Sequence, residues 1–192
     1  MEMNKETHPS GRPRSEQARA AVLNAADDLL VEIGYAAMTM KGIAEKARVS
    51  RQTIYRWWSH KAEILFEASA ADAEEELSIQ LSGDPLADLT AYLEALIHFL
   101  ANSPAGAAYR ALLGEAQQDS AVAELLSAKD PIGDTAQVIL KHLFEKNQVP
   151  IPLDQATALF IGPCFFWILS GRDPAGLVPQ ELAKNFLSYL QT

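Results

Sequence analysis

A chain of 192 residues, 48% hydrophobic and 21% charged, has the composition of a globular protein in water, and it lacks the eighteen-residue apolar run that a membrane span needs. A single cysteine, Cys164, excludes an intramolecular disulfide and fits a reducing cytoplasm. The net charge of −9 is unevenly placed: residues 1–67 hold ten Lys/Arg against nine Asp/Glu, residues 68–192 six against sixteen, so the acidic bulk leaves nucleic-acid binding open to the first third.

The N-terminal MEMNKETHPSGRPRSEQ is polar and has no apolar centre of the kind a secretory signal carries. Residues 1–14 read as a flexible basic arm that carries Arg12 and Arg14. From Ser15 to Gly34 the apolar Val22, Ala26, Leu29, Leu30 and Ile33 recur at helical spacing, with Ser15 placed to cap the helix and Gly34 to end it. Two short helices follow, Thr39–Ala47 and Ser50–Trp57, each opened by a hydroxyl residue able to cap it. A longer helix, His60–Leu81, carries the acidic cluster Asp72, Glu74, Glu75 and Glu76. Three later starts share one device, a capping side chain before a proline: Asp84-Pro85, Ser103-Pro104 and Asp130-Pro131. Two apolar helices, Leu153–Ser170 and Val178–Leu190, close the chain. Strand signals are missing, so the fold class is all-α: a helix-turn-helix unit over 15–59 and a larger helical body over 60–192.

Helices as short as those over 39–57 need tertiary packing, and Ile43, Ala44, Ala47, Val49, Ile54 and Trp58 supply it. What remains is polar: Ser50, Arg51, Gln52, Thr53, Tyr55 and Arg56. Arginine and glutamine read guanine and adenine edges bidentately, while Ser, Thr, Tyr and Lys suit phosphate oxygens. A basic-aromatic run by itself is more often a solvated face. Capped short helices ahead of it, with Arg12 and Arg14 upstream, turn the reading towards double-stranded DNA.

With GRPRSEQARAAVLNAADDLLVEIGY followed by TMKGIAEKARVSRQTIYRWWSHKAEIL, residues 12–67 resemble the DNA-binding domain of TetR/AcrR-type transcriptional regulators. The pattern is carried by Thr39, Ile43, Ala44, Ala47, Val49, Ser50, Tyr55 and Lys61. The resemblance implies that Thr39, Tyr55 and Lys61 contact phosphate and that Ser50, Arg51, Gln52 and Thr53 begin the base-reading helix. It makes Trp58 a core aromatic, with Trp57 and Arg56 turned to the DNA backbone. Arg48 stands where glycine is usual, so it is expected in a left-handed conformation, bringing a cation near phosphate. Ser59, where proline is common, is expected to cap the next helix.

No acid, base and nucleophile converge in residues 68–192, so an enzyme is not expected, and neither is a cofactor or metal. The resemblance implies a homodimer built by the last two helices, with Phe160, Cys164, Leu182, Phe186, Leu187 and Leu190 at its interface. It also implies a pocket for a small effector, lined by Leu96, Phe99, Tyr109, Leu113, Phe166 and Trp167, with His98 or Arg110 as polar contacts. Few polar groups there point to a largely apolar effector. The function expected is a cytoplasmic, ligand-responsive repressor. A regulator working through protein contacts on its acidic body, or a small helical enzyme, are the alternatives.

Overall fold

The structure is a computed structural model that describes the backbone of residues 12–146 and 151–190 and the side chains of 16–144 and 151–190. Ten α-helices and one 3₁₀ turn run in chain order through these residues, and no strand occurs among them. They are α1 (Arg12–Ala37), α2 (Met40–Lys46), α3 (Arg51–Trp57), α4 (Lys61–Glu76) and α5 (Pro85–Asn102). Then come α6 (Pro104–Glu115), α7 (Ser120–Ala128), α8 (Pro131–Lys146), α9 (Leu153–Leu169), the 3₁₀ turn Pro174–Gly176 and α10 (Pro179–Tyr189). No helix among the described residues is long and apolar enough to cross a membrane.

Two compact units divide at Leu65/Phe66, inside α4. The expected boundary at residue 59 falls short because the start of α4 is tied into the first unit: the Lys61 ammonium donates to the carbonyls of Tyr35 (2.7 Å) and Met38 (3.2 Å). Helix α1 begins at Arg12, not at Ser15, since a proline in the first turn has no intrahelical N–H to lose. The backbone of 12–14 is therefore helical where an arm was expected, and residues 1–11 of that arm lie outside the described ones. Gly34 does interrupt α1, at φ 73° and ψ 162°, a region only glycine enters freely. Val22 and Ala26 are buried as expected, while Ile33 is half exposed.

In the second unit Asp84 and Asp130 cap α5 and α8, their carboxylates accepting from Leu86 N–H (3.0 Å) and Gly133 N–H (2.9 Å). Ser103 breaks the pattern. Its hydroxyl donates instead to Glu76 (2.7 Å), binding the end of α4 to the α5–α6 corner, and α6 has no side-chain cap. Gly106 is needed beside that corner, because a Cβ there would sit 1.8 Å from the Phe99 carbonyl oxygen. Helix α4 stops at Glu76, five residues short of Leu81: three successive glutamates at its C-terminal end oppose the helix dipole, with no basic residue in the last turn. Helix α7, which the sequence reading passed over, starts behind an Asp119 cap.

The core of this unit is a file of aromatic rings. Tyr92 on α5 packs on Phe160 of α9 (5.7 Å), and Phe160 on Phe186 of α10 (5.1 Å). The buried Tyr92 hydroxyl donates to the Ile132 carbonyl (2.9 Å), so α8 is fixed to the same file. Phe160, Cys164 and Phe186, expected between two subunits, are thus buried within this chain, with Leu182, Leu187 and Leu190 packed half-exposed against them. Burial pushes the Cys164 thiol up to about 12, so it stays an inert thiol.

Asp88 is the buried charge that closes the 81–84 loop. Its carboxylate accepts from the Ser82 N–H (2.7 Å), the Ser82 hydroxyl (2.6 Å) and the Gly83 N–H (3.2 Å). Burial alone would raise this carboxyl, but those donors and the nearby His142 charge outweigh it and hold the group below its ordinary value. Stability from such a depressed carboxylate is present above its unfolded value, about 3.9, and is lost as pH falls through the folded one. Asp88→Asn is expected to cost about 1–3 kcal/mol in urea unfolding at pH 7. The gap from the parent should shrink steadily below about pH 4.

Candidate nucleic-acid interface

Two helices of seven residues build this surface, and their caps are made by the hydroxyls the sequence marked. Thr39 accepts from the Gly42 N–H (3.0 Å) at the start of α2, and Ser50 accepts from the Thr53 N–H (3.0 Å) at the start of α3. Beneath them Ile43, Ala44, Ile54 and Trp58 are buried, each at most 4% exposed, while Ala47 and Val49 fill the rim. Lys46 draws α2 onto α1 by pairing with Glu32 (2.5 Å) and Asp28 (3.6 Å), so that cation is spent inside the fold.

The turn between the helices runs through Arg48 at φ 56°, the left-handed conformation expected and the one positive φ of a non-glycine residue among those described. An L side chain there costs about 1–2 kcal/mol relative to glycine. Arg48 is exposed, and neither it nor Arg51 forms an ion pair among the described residues.

Arg51, Gln52, Tyr55 and Arg56 are exposed on the outer side of α3; Gln52, Thr53, Tyr55 and Arg56 bound an open depression. Tyr55 is 56% exposed, although an aromatic ring gains by burial. The hydroxyls of Ser50 and Thr53 bond each other (2.9 Å), so the sharpest free groups are the guanidinium of Arg51 and the amide of Gln52. The side chains of Arg12 and Arg14 lie outside the described residues.

Two expected phosphate contacts have other engagements. Lys61 spends two of its three N–H donors on the carbonyls of α1's end, and its ammonium stands 4.0 Å from the centre of the Tyr35 ring. Trp57 is half-buried: its ring meets Trp58 edge-on at 5.4 Å, and the Arg56 guanidinium lies over it at 5.0 Å. The buried Trp58 thus seats Trp57, which in turn supports Arg56. No isolated residue in the sequence signals this relay, although the adjacency of Arg56, Trp57 and Trp58 is what permits it. Ser59 does not cap α4; its N–H and hydroxyl both donate to Glu63, and the His60 ring accepts from Ala62 N–H (3.2 Å).

The expected effector residues are only partly brought together. Leu96, Phe99 and Tyr109 are buried in one core, and Leu113 lies at its edge. His98 is exposed beside Asn102 (3.4 Å). Phe166 is 66% exposed, covered by Arg172 at 4.8 Å, and Trp167 donates to the Asp173 carbonyl (2.7 Å) to hold the turn after α9. Two hollows that the sequence reading missed adjoin α8. One of about 110 Å³ is lined in part by Leu77, Ile79, Leu81, Thr135 and Ile139, and one of about 20 Å³ by Leu81, Asp88, Ile139 and His142 among others. The latter has room for about one water. No three His, Cys, Asp or Glu side chains converge as a metal site among the described residues.

Comparison with known proteins accords with this geometry. Residues 22–68 match the family described as bacterial regulatory proteins, tetR family, and residues 79–185 match the tetracyclin repressor-like C-terminal domain. The chain is 34% identical over 186 residues to the HTH-type transcriptional regulator YdeS of Bacillus subtilis (strain 168), covering 94% of this chain and 93% of that one. Among solved structures, the TetR family transcription regulator SCO0332 superposes with a TM-score of 0.72 at 28% identity, covering 90% of this chain and 97% of its own. Thermus thermophilus FadR, solved with lauroyl-CoA, shares the fold at a TM-score of 0.66 and 22% identity, over 90% and 93% of the two chains.

Two substitutions probe the surface. Arg48→Gly should leave the melting temperature unchanged or raise it while weakening binding to DNA; a lower melting point would mean that Arg48 supports the turn instead. Trp57→Ala should weaken DNA binding about two- to fivefold, the worth of an exposed cation–π pair, with Trp57→Phe retaining most of the affinity. In a double-mutant cycle the combined loss from Trp57→Ala and Arg56→Ala should be smaller than the sum of the two single losses.

Proposed function

The chain belongs to the tetR family of bacterial regulatory proteins, and we propose that this transcriptional regulator is a homodimeric repressor released from its operator by a small, largely apolar molecule. The observation that carries the proposal is the exposed face of α3. A seven-residue helix capped at Ser50 and anchored by Ile54 and Trp58 presents Arg51, Gln52, Tyr55 and Arg56 with no partner among the described residues other than the Trp57 ring. Arg51 and Gln52 would read bases. Tyr55, Arg56 and Arg48 would hold phosphates, with Arg12 and Arg14 adding charge from the first turn of α1. Thr39 would act chiefly through its cap, and Lys61 through the carbonyls it braces.

A homodimer gives each half of a near-palindromic site one α3. The outer side of α9 supports that assembly: Leu159, Phe166 and Leu169 are all about half exposed or more on a helix whose inner side is core. These residues replace Phe160, Cys164 and Phe186 as the proposed contact. Ligand release is supported by kinship with proteins such as FadR, which was solved with lauroyl-CoA. A molecule that binds a conformation unfit for DNA would shift the population towards it by its difference in affinity for the two states. The chemistry of a regulator asks for no catalytic group, and residence in the cytoplasm beside the chromosome follows from the role.

Selection of binding sites from randomised duplex DNA tests the reading. A near-palindrome is expected, with affinity falling about 10³–10⁵-fold between 50 and 200 mM salt for six to ten phosphate contacts per dimer. Arg51→Ala and Gln52→Ala should each relax the preference at single positions by about 1–3 kcal/mol. If no sequence is enriched and these variants behave like the parent, the repressor reading fails and a role through protein contacts takes its place.

A further inference from the structure

Six lysines and arginines lie beyond residue 67, against sixteen acids, and the described ones are engaged unequally. Lys129 pairs with Glu74 (3.2 Å), Lys184 with Glu181 (2.7 Å), and Arg172 lies over the rings of Phe166 and Trp167. Arg110, in the middle of α6, has no ion pair among the described residues. The residue is half-buried, and its Nη1 is shut away from water with no hydrogen-bond partner. Desolvation pulls the guanidinium below its ordinary value, and no opposing carboxylate offsets it. Side chains one turn away on the same helix offer nothing either: they are Gly106, Ala107, Leu113 and Gly114. Next to it in sequence, Tyr109 is buried with its ring against Phe165 (6.4 Å), and the nearby Asp130 carboxylate is engaged with the Tyr109 hydroxyl.

A buried cation without a counter-charge is costly, and proteins ordinarily pair it or neutralise it. A domain this rich in carboxylates could have supplied a partner within its own fold. We infer that Arg110 is the anion-binding group of the effector site, and that the effector is a carboxylate on an apolar body. A guanidinium takes a carboxylate through two parallel N–H donors, and the half-exposed side chain leaves an approach from solvent. Leu113, one turn on along α6, lies partly buried at the edge of the core and supplies apolar surface beside it. The inference rests on the ligand-released regulator proposed above and narrows its effector from largely apolar to amphipathic and anionic.

Two measurements on the full-length protein test it. In the absence of any ligand, Arg110→Met should melt about 2–6 °C higher than the parent, because it removes an unpaired, partly desolvated charge and keeps the volume. A guanidinium with a structural partner would instead give a lower melting point, and that result overturns the inference. Thermal shift and titration calorimetry then compare octanoate, decanoate and benzoate with the corresponding amides. At least one carboxylate should bind the parent and its amide should not. Its affinity should fall at least tenfold in Arg110→Met and recover in part in Arg110→Lys. Equal binding of acid and amide, unchanged carboxylate binding by Arg110→Met, or no response to any of the three acids each overturns it. Operator binding by the parent without ligand is measured in parallel. Its loss faults the repressor reading, whereas intact operator binding with a failed carboxylate test faults only the role of Arg110.

Discussion

Seven residues make two turns of α-helix, too few to hold themselves together in water, so the candidate DNA-reading surface exists only while a small core holds it. That core is Ile43, Ala44, Ile54 and Trp58. Everything on the outer side of α3 depends on it, because a helix this short has no stiffness of its own to aim a guanidinium. Lys61 and Lys46 strengthen the frame: one ties α4 to the last carbonyls of α1, the other ties α2 to the acids of α1. Cations that look alike in the sequence are therefore divided between holding the unit together and facing outwards.

The same division explains the two tryptophans. Trp58 is sealed in the core and Trp57 is braced against its edge, which leaves the face of Trp57 as a seat for Arg56. An arginine side chain loses considerable rotamer freedom when it binds, and a seat that limits this freedom beforehand reduces the cost. Arg48 makes the opposite bargain, since it holds a left-handed backbone that glycine would adopt without strain.

In the second unit aromatic packing and buried charge set the architecture. The file Tyr92–Phe160–Phe186 joins α5, α9 and α10, and the Tyr92 hydroxyl adds α8. Asp88 is buried with every nearby donor turned towards it, so its charge is satisfied. Arg110 is half-buried, and its Nη1 has no hydrogen-bond partner among the described residues. The contrast between those two residues separates a charge the fold satisfies from one it leaves open.

Local chemistry made much of this protein legible in one dimension. Helical spacing, the hydroxyl caps at Thr39 and Ser50 and the Asp-Pro starts of α5 and α8 are all decided by residues within a few positions of each other, whereas the left-handed turn at Arg48 was expected only from the family resemblance. For that reason the sequence by itself determined the all-α class, the helix-turn-helix and its polar outer face. Tertiary structure decided which apolar residues face inwards on helices that are apolar nearly all round, as the exchange of Phe160 and Cys164 for Leu159 and Phe166 on α9 shows. It also decided which cations are already engaged, since the partners of Lys61 lie 26 and 23 residues away. Spacing along a chain fixes what a side chain can do; what it has left to do depends on neighbours brought from elsewhere in the fold.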